Sequence, residues 1–378
     1  VKRVERLMHV AMKPARRIVG LMSGTSLDAI DAAMVRIKGH GTDAEIELEH
    51  FRSYPFPPRV RLAVRDLFDP KRARVDQICR HDFILGELFA AAVNRLLQET
   101  KTKPARVDLV AVAGQTIWHD PDPVVVNADV DWIEEPLRTR STFAIGQSAV
   151  IAERTGIITI GDLRVRDVAA GGHGAPLVPY FDWVLLRHRR KGRCIQNIGG
   201  IGNVTYIPPN AKWHSVIAFD TGPGNMIIDE LASIATKGKA AYDADGTLAG
   251  IGIVDQELLE KWMSEPYFTI EPPKTTGREL FGAQFARQIV AEAKKKPIED
   301  LIATATALTA ESIARAYRDF IEPRGPIHEV LLAGGGARNP TLVRMIKERL
   351  PRQKLLIYEA SEAKEAMAMA MIANDSVY

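Results

Sequence analysis

The chain has 378 residues, 46% of them hydrophobic and 26% charged, which exceeds what one hydrophobic core usually supports and predicts two domains of ordinary size. Fifty basic against forty-seven acidic residues leave a formal charge of +3, with only short basic runs at 189–191 and 294–296, so neither a nucleic acid nor a membrane surface is an expected partner. No apolar run has the length of a membrane span, and Cys79 and Cys194 have neither disulfide nor metal-ligand spacing, so a reducing cytoplasm is the expected compartment.

Residues 1–14 are basic but lack a signal-peptide core, and they read as an N-terminal extension with Met12 as a candidate initiator. From there, short aliphatic runs lead into glycine turns and helical patterns, as in RRIVGLMSGTS, IITIGDLR and CIQNIGGIGNVTYI. That alternation predicts an α/β protein. IVGLMSGTSLDAIDAAMVRI reads as a hairpin with a glycine turn. Residues 76–99 carry Ile78, Phe83, Leu85, Leu88, Phe89, Ala92, Leu96 and Leu97 at helical spacing, which predicts a helix packing one face on a sheet. Residues 120–141, rich in proline and charge, read as a surface loop or lid outside the core. A second glycine hairpin at 194–209 suggests a duplicated nucleotide-clamping fold. Beyond it come a strand ending at Asp220, a helix over 225–236, a long helix over 301–321, a strand ending at Ala333, and a helix over 364–373.

Three glycine turns follow strands and suit an anionic ligand. In the first, Gly24, Thr25, Ser26 and Leu27 bring amides and hydroxyls together, and Asp28 can orient hydrated Mg²⁺; a self-capped hairpin is the alternative. The second contains Gly199, Gly200 and Asn203, where a twisted hairpin is the alternative. The third is Gly334, Gly335 and Gly336 before a helix start. None is a Walker A loop or a dinucleotide fingerprint. Asp220, at a strand's carboxyl end, reads as a base presented to substrate, with capping of the next helix as the competing role. Asp162, Arg164 and Asp167 suit a sugar, or else a salt-bridged turn. His173 has no second ligand at metal spacing, and Asp243 and Asp245 lack the rest of a calcium loop. Glu365, in a first helical turn, by itself reads as a dipole partner.

Taken in order, LMSGTSLDAIDAAMV, GQTIWHDP, AVIAERTG, GDLRVRDVAAGGHGAPLVPYFD, QNIGGIGNVTYI, FDTGPGNMIID, PPKTTGRELF, LLAGGGARNP and AKEAMAMA span nearly the whole chain. This set resembles the anhydro-N-acetylmuramic acid kinase family, whose close relative is levoglucosan kinase. The resemblance implies the two-lobed actin/hexokinase-like (ribonuclease H-like) ATPase fold, with duplicated mixed sheets flanked by helices and a central cleft. It implies an N-terminal lobe of 15–155 plus a C-terminal helix in 361–378, and a C-terminal lobe of 156–360 with the nucleotide site. It further implies ATP and Mg²⁺, a first phosphate loop reaching Asp31, and phosphate contacts from Gly222, Gly224 and Asn225 beside the second and third glycine turns. Asp220 matches the family's catalytic aspartate, which activates water to open a 1,6-anhydro ring while the released O6 takes the γ-phosphoryl group. Gln115 and Glu365 become sugar contacts, and the implied assembly is a homodimer. The chain departs from the family pattern in Val112 and Ala113, where Ser-His is usual, and in His173, where Gln is usual. Levoglucosan kinase and a non-catalytic nucleotide clamp are the competing functions.

Overall fold

The computed structural model describes residues 2–24, 27–293, 296–358 and 362–378. The chain divides into two compact units, Val1–Val184 with Ser361–Tyr378, and Leu185–Ala360.

In the first unit, β1 (Ala15–Ser23), β2 (Ala29–Lys38) and β3 (Glu45–Pro55) form an antiparallel meander. Parallel to β1 runs β4 (Leu109–Val112). A separate two-stranded ribbon follows, β5 (Gln115–Val126) with β6 (Leu137–Ile145), and β7 (Ile158–Ile160) then joins β4 to give the order β3-β2-β1-β4-β7. The apolar run of β1 is buried on both faces, as a central strand covered by helices requires. One face meets the helix Val75–Glu99, whose Leu85, Phe89, Val93 and Leu96 recur at helical spacing and pack with Val19 and Leu21. On the other face lies the C-terminal helix Lys364–Asp375, reached through Gly20: a Cβ there would sit 1.9 Å from the Ala366 carbonyl oxygen. Only glycine lets the two backbones approach this closely.

Three features differ from the sequence reading. Residues 120–141 are a strand-paired ribbon at both ends, with a loop at 127–136 between: the ladder runs from Gln115 opposite Ile145 to Val126 opposite Leu137, with an irregularity between Asp120 and Val124. That irregularity contains Pro121 and Pro123, while the Val-Val-Val run returns to the ladder. The predicted extension contains a helix, Lys2–Ala11, whose Val10 is buried. Fully buried Arg16 donates through Nε to the Val10 carbonyl at 2.8 Å and also bonds the Ala11 carbonyl, satisfying acceptors left open at the helix end. Finally, the first unit continues to Val184 instead of ending at residue 155, because β7 adds to β4 and the helix Leu163–Ala169 packs on β6.

The second unit repeats the design. β8 (Arg193–Ile198), β9 (Ile201–Ile207) and β10 (Ile217–Pro223) are antiparallel, and β11 (Glu329–Ala333) and β12 (Lys354–Ile357) add in parallel on the other side of β8. The order β10-β9-β8-β11-β12 matches the first sheet strand for strand. The predicted helix over 301–321 appears as Ile298–Ala316 plus a π-helical turn, Tyr317–Ile321. It is buried nearly all round instead of on one face. Its ATATALTA core lets neighbours close in, and Thr304 and Thr306 return their hydroxyls to the carbonyls of Asp300 and Ile302.

Candidate functional site

In the second unit, three segments far apart in sequence meet at Asn225. The β8–β9 turn supplies Gly199 and Gly200, whose carbonyls accept from the amides of Asn225 (2.7 Å), Gly224 (2.9 Å) and Met226 (3.1 Å). The Asn225 side chain reaches the Ile198 carbonyl at 3.2 Å. Against the same turn lies the third glycine run: a Cβ on Gly334, at φ +83°, would sit 2.7 Å from the Ile198 oxygen, and one on Gly336 would sit 2.3 Å from the Ile198 side chain. Gly335 adjoins Asn225 as well. Hairpin turn, helix start and glycine run thus form one side-chain-poor cradle at the N-terminus of the helix Met226–Ala235. The amides of Gly224, Asn225 and Met226 are engaged by that turn, so what the cradle offers a phosphate is close approach to side-chain-poor backbone at the positive end of the helix dipole.

Asp220 lies in β10, opposite Asn203 on β9, so their side chains share a face. Sequence reading puts the strand end at Asp220; instead the strand continues to Pro223 through an irregularity between Asp220 and Gly222. Gly222 takes φ +135° there, and a Cβ would meet the Phe268 ring at 2.7 Å. The carboxylate does not cap the next helix, whose cap position, Asn225, makes no side-chain cap bond. Its Oδ2 accepts from Thr275 Oγ1 at 2.8 Å and from the Thr276 amide at 3.0 Å. The main chain of Asp220 is held too: its amide donates to the Lys274 carbonyl at 3.1 Å, and its carbonyl accepts from the Tyr267 hydroxyl at 2.8 Å. Sequence reasoning placed Lys274, Thr275 and Thr276 only within a family motif and left Tyr267 without a role. The Pro-Pro-Lys-Thr-Thr stretch was the available signal.

In the first unit, Arg164 and Glu365 interact electrostatically, as do Glu365 and Asp31. Burial raises the Glu365 carboxyl above the ordinary range and the Asp31 charge raises it further, against Arg164 and Lys364. Burial also raises Asp31, opposed by a 2.7 Å hydrogen bond from Ser53 Oγ. Burial lowers the Arg164 guanidinium, opposed by Glu365, and its Nε is buried without a hydrogen-bond partner.

Other predicted residues have structural partners. Asp167 Oδ2 accepts from the Gly174 amide at 2.8 Å, and a Cβ on Gly172 would strike that carboxylate, so Asp167 shapes the 171–174 loop. Arg164 Nη1 donates to the Gly174 carbonyl at 2.9 Å. Gln115 is fully buried, taking a 2.6 Å bond from Ser23 Oγ and donating to the Thr116 carbonyl at 3.2 Å. Asp162 is exposed at φ +56° and makes no cap bond. In the first glycine turn, Leu27, at φ +55°, donates its amide to Gly24 O at 3.1 Å, and Asp28 pairs with Arg61. Thr25 and Ser26 lie outside the described residues. Asp243 accepts from the amides of Leu248 and Ala249, both at 2.9 Å, as a turn residue does. Among the described residues no three His, Cys, Asp or Glu side chains group to hold a metal ion.

Residues 16–378 match the profile of the family described as anhydro-N-acetylmuramic acid kinase. A protein of that name from Caldanaerobacter subterraneus subsp. tengcongensis is 46% identical over 381 residues, covering 99% of this chain and 94% of that one. Another, from Bacillus cereus strain G9842, is 43% identical over 367 residues, covering 96% and 93%. Among solved structures, the (R)-2-hydroxyglutaryl-CoA dehydratase component A of Acidaminococcus fermentans is 11% identical with a TM-score of 0.46, covering 96% of this chain and 99% of that one. A ROK hexokinase from Thermus thermophilus is 13% identical with a TM-score of 0.35, covering 94% and 98%.

Proposed function

Because the chain belongs to the anhydro-N-acetylmuramic acid kinase family, we propose that it opens the ring of 1,6-anhydro-N-acetylmuramic acid and phosphorylates O6 from ATP, with Asp220 as the base. The product is N-acetylmuramic acid 6-phosphate, a step of cell-wall recycling. Levoglucosan kinase and a non-catalytic clamp are not favoured by relatives bearing this name.

Asp220 takes a proton from water, and the hydroxide so formed bonds to C1 as the C1–O6 bond breaks. O6 leaves with that electron pair, attacks the γ-phosphorus, and ADP departs. Ring strain and phosphoryl capture drive the sequence without a separate acid. The observation that carries this reading is the carboxylate of Asp220, whose Oδ2 is fixed by Thr275 and Thr276. A base held by two donors needs little reorganisation when it meets water. Gly199, Gly200, Asn203, Gly222, Gly224, Asn225 and Gly334, Gly335, Gly336 form the phosphate cradle in this reading, with Gly24, Leu27, Asp28 and Asp31 as a further phosphate loop. Asp31, Arg164 and Glu365 form the sugar-facing polar set, while Asp167 and Gln115 shape its loops.

Mg²⁺ fits the donor set as an ion carried chiefly by phosphate oxygens and water, since Asp28 offers a single exposed carboxylate already paired with Arg61. When bound it offsets charge on the β- and γ-phosphates. A cytoplasmic homodimer completes the reading, supported by isolated cysteines for the compartment and testable by light scattering for the assembly.

Incubating the protein with ATP, Mg²⁺ and the anhydro sugar, and following ADP and sugar phosphate by mass spectrometry, tests the activity. Turnover in ¹⁸O-labelled water is expected to put the label on the anomeric hydroxyl. Label absent from the product removes the water-activation step, and failure to form any sugar phosphate removes the kinase reading.

A further inference from the structure

We propose that Lys274 is a positioning residue for Asp220: its ammonium, gripped by aromatic rings and main-chain carbonyls, fixes the segment whose hydroxyl and amide aim the carboxylate. The inference rests on Asp220 being the base.

Lys274 is only 9% exposed. Its Nζ lies 3.1 Å from the Tyr267 carbonyl oxygen and 3.5 Å from that of Phe268. It also stands over the rings of Phe320 at 4.5 Å, Tyr267 at 4.7 Å and Phe219 at 6.0 Å. An ammonium among ring faces is attracted by their quadrupoles, most strongly where water is excluded. Its own carbonyl accepts the Asp220 amide, the next two residues donate to Asp220 Oδ2, and Tyr267 donates to the Asp220 carbonyl. The contacts close a ring from ammonium to Tyr267, to Asp220, and back to Lys274. The buried cation therefore ties both supports of the base together.

The charged and titratable groups around it are Arg315 on the helix Ile298–Ala316, Asp319 in the π-helical turn, the Tyr267 hydroxyl, and Asp220, whose charge acts on Tyr267. Arg315 and Asp319 pair with each other at 3.2 Å. Burial, then the Arg315 charge, push the lysine down to about 8, with Asp319 opposing. Above that pH the ammonium loses its proton and its attraction to the rings, so turnover falls. Stability moves the other way. The folded-state pKa lies below the ordinary 10.5, so between the two values the unfolded chain binds more protons and stability rises with pH.

The test measures kcat, KM and thermal stability from about pH 6 to about pH 10 with ATP, Mg²⁺ and 1,6-anhydro-N-acetylmuramic acid, for the wild type and for Lys274→Met. Methionine has similar bulk and suits an aromatic cage. For the wild type, kcat is expected to fall through about pH 8 while thermal stability does not fall with it; a flat kcat across that range overturns the inference. For Lys274→Met at pH 7, kcat is expected about tenfold or more below wild type, with nucleotide KM within about twofold, an unlowered Tm and no alkaline limb near pH 8. Faster hydrogen exchange at the Thr276 amide is expected with it. Wild-type kcat with the alkaline limb intact, beside an inactive Asp220→Asn, overturns this inference alone. Turnover by Asp220→Asn instead overturns the base assignment, and the positioning role falls with it.

Discussion

Asp220 is held by groups from two stretches of chain, the Tyr267 hydroxyl and the 274–276 segment, and by its own bulged strand. Replacing it with asparagine keeps those supports sterically but removes the proton acceptor. Asp220→Asn is therefore expected to bind nucleotide as the wild type does while losing about 10²–10⁴-fold in kcat, read by titration calorimetry beside steady-state assay. The residue itself was legible in the sequence, as an acid near a strand end before a glycine turn. Its holders were not, because Thr275 lies 55 positions away and no local periodicity links the two. The same gap explains Asp167 and Gln115: their residue types suit a sugar, but their partners in the fold are a loop amide and a serine hydroxyl.

At the scale of elements, two helices permit quantitative tests. The C-terminal helix touches β1 through Gly20, where an added methyl meets the Ala366 carbonyl. Gly20→Ala is expected to destabilise the protein by about 3 kcal/mol through overpacking against backbone that cannot yield, measured by chemical unfolding. In the helix Met226–Ala235, burial and the nearby Asp243 raise Asp229 to about 6. The folded state therefore holds that proton where the unfolded chain has lost it, and stability falls as pH rises from about 4 to about 6. Asp229→Asn is expected to be about 1 kcal/mol more stable than wild type at pH 7, discounted for partial exposure, with the gain gone near pH 4. An undiminished difference near pH 4 would refute that cause. The Ile298–Ala316 helix shows where periodicity misleads: with apolar and small residues on every face, one buried stripe cannot be told from a fully enclosed rod.

At the scale of the whole molecule, the chain uses one strand order twice, β3-β2-β1-β4-β7 and β10-β9-β8-β11-β12. The glycine cradle lies wholly within the second unit, so a non-hydrolysable ATP analogue at about 100 times its Kd should stabilise that unit by about 2.7 kcal/mol. Hydrogen exchange is expected to slow most at 199–203, 224–226 and 334–337. Unchanged exchange at those three segments would contradict a cradle built from second-unit backbone.

The sequence by itself determined the α/β class, the paired glycine hairpins, the long helices and the ordered motifs of the family. These are encoded in short-range patterns, since strand and helix periods, turn glycines and motif spacing are all local. Only the tertiary structure decided that the two ends of 120–141 pair as a ribbon, that residues 156–184 complete the first unit, and that Asn225 gathers three glycine segments. It also decided that a buried lysine stands behind Asp220. Each of these depends on which distant backbone groups satisfy one another's hydrogen bonds and on how closely two chains can pack, and neither is encoded in local order.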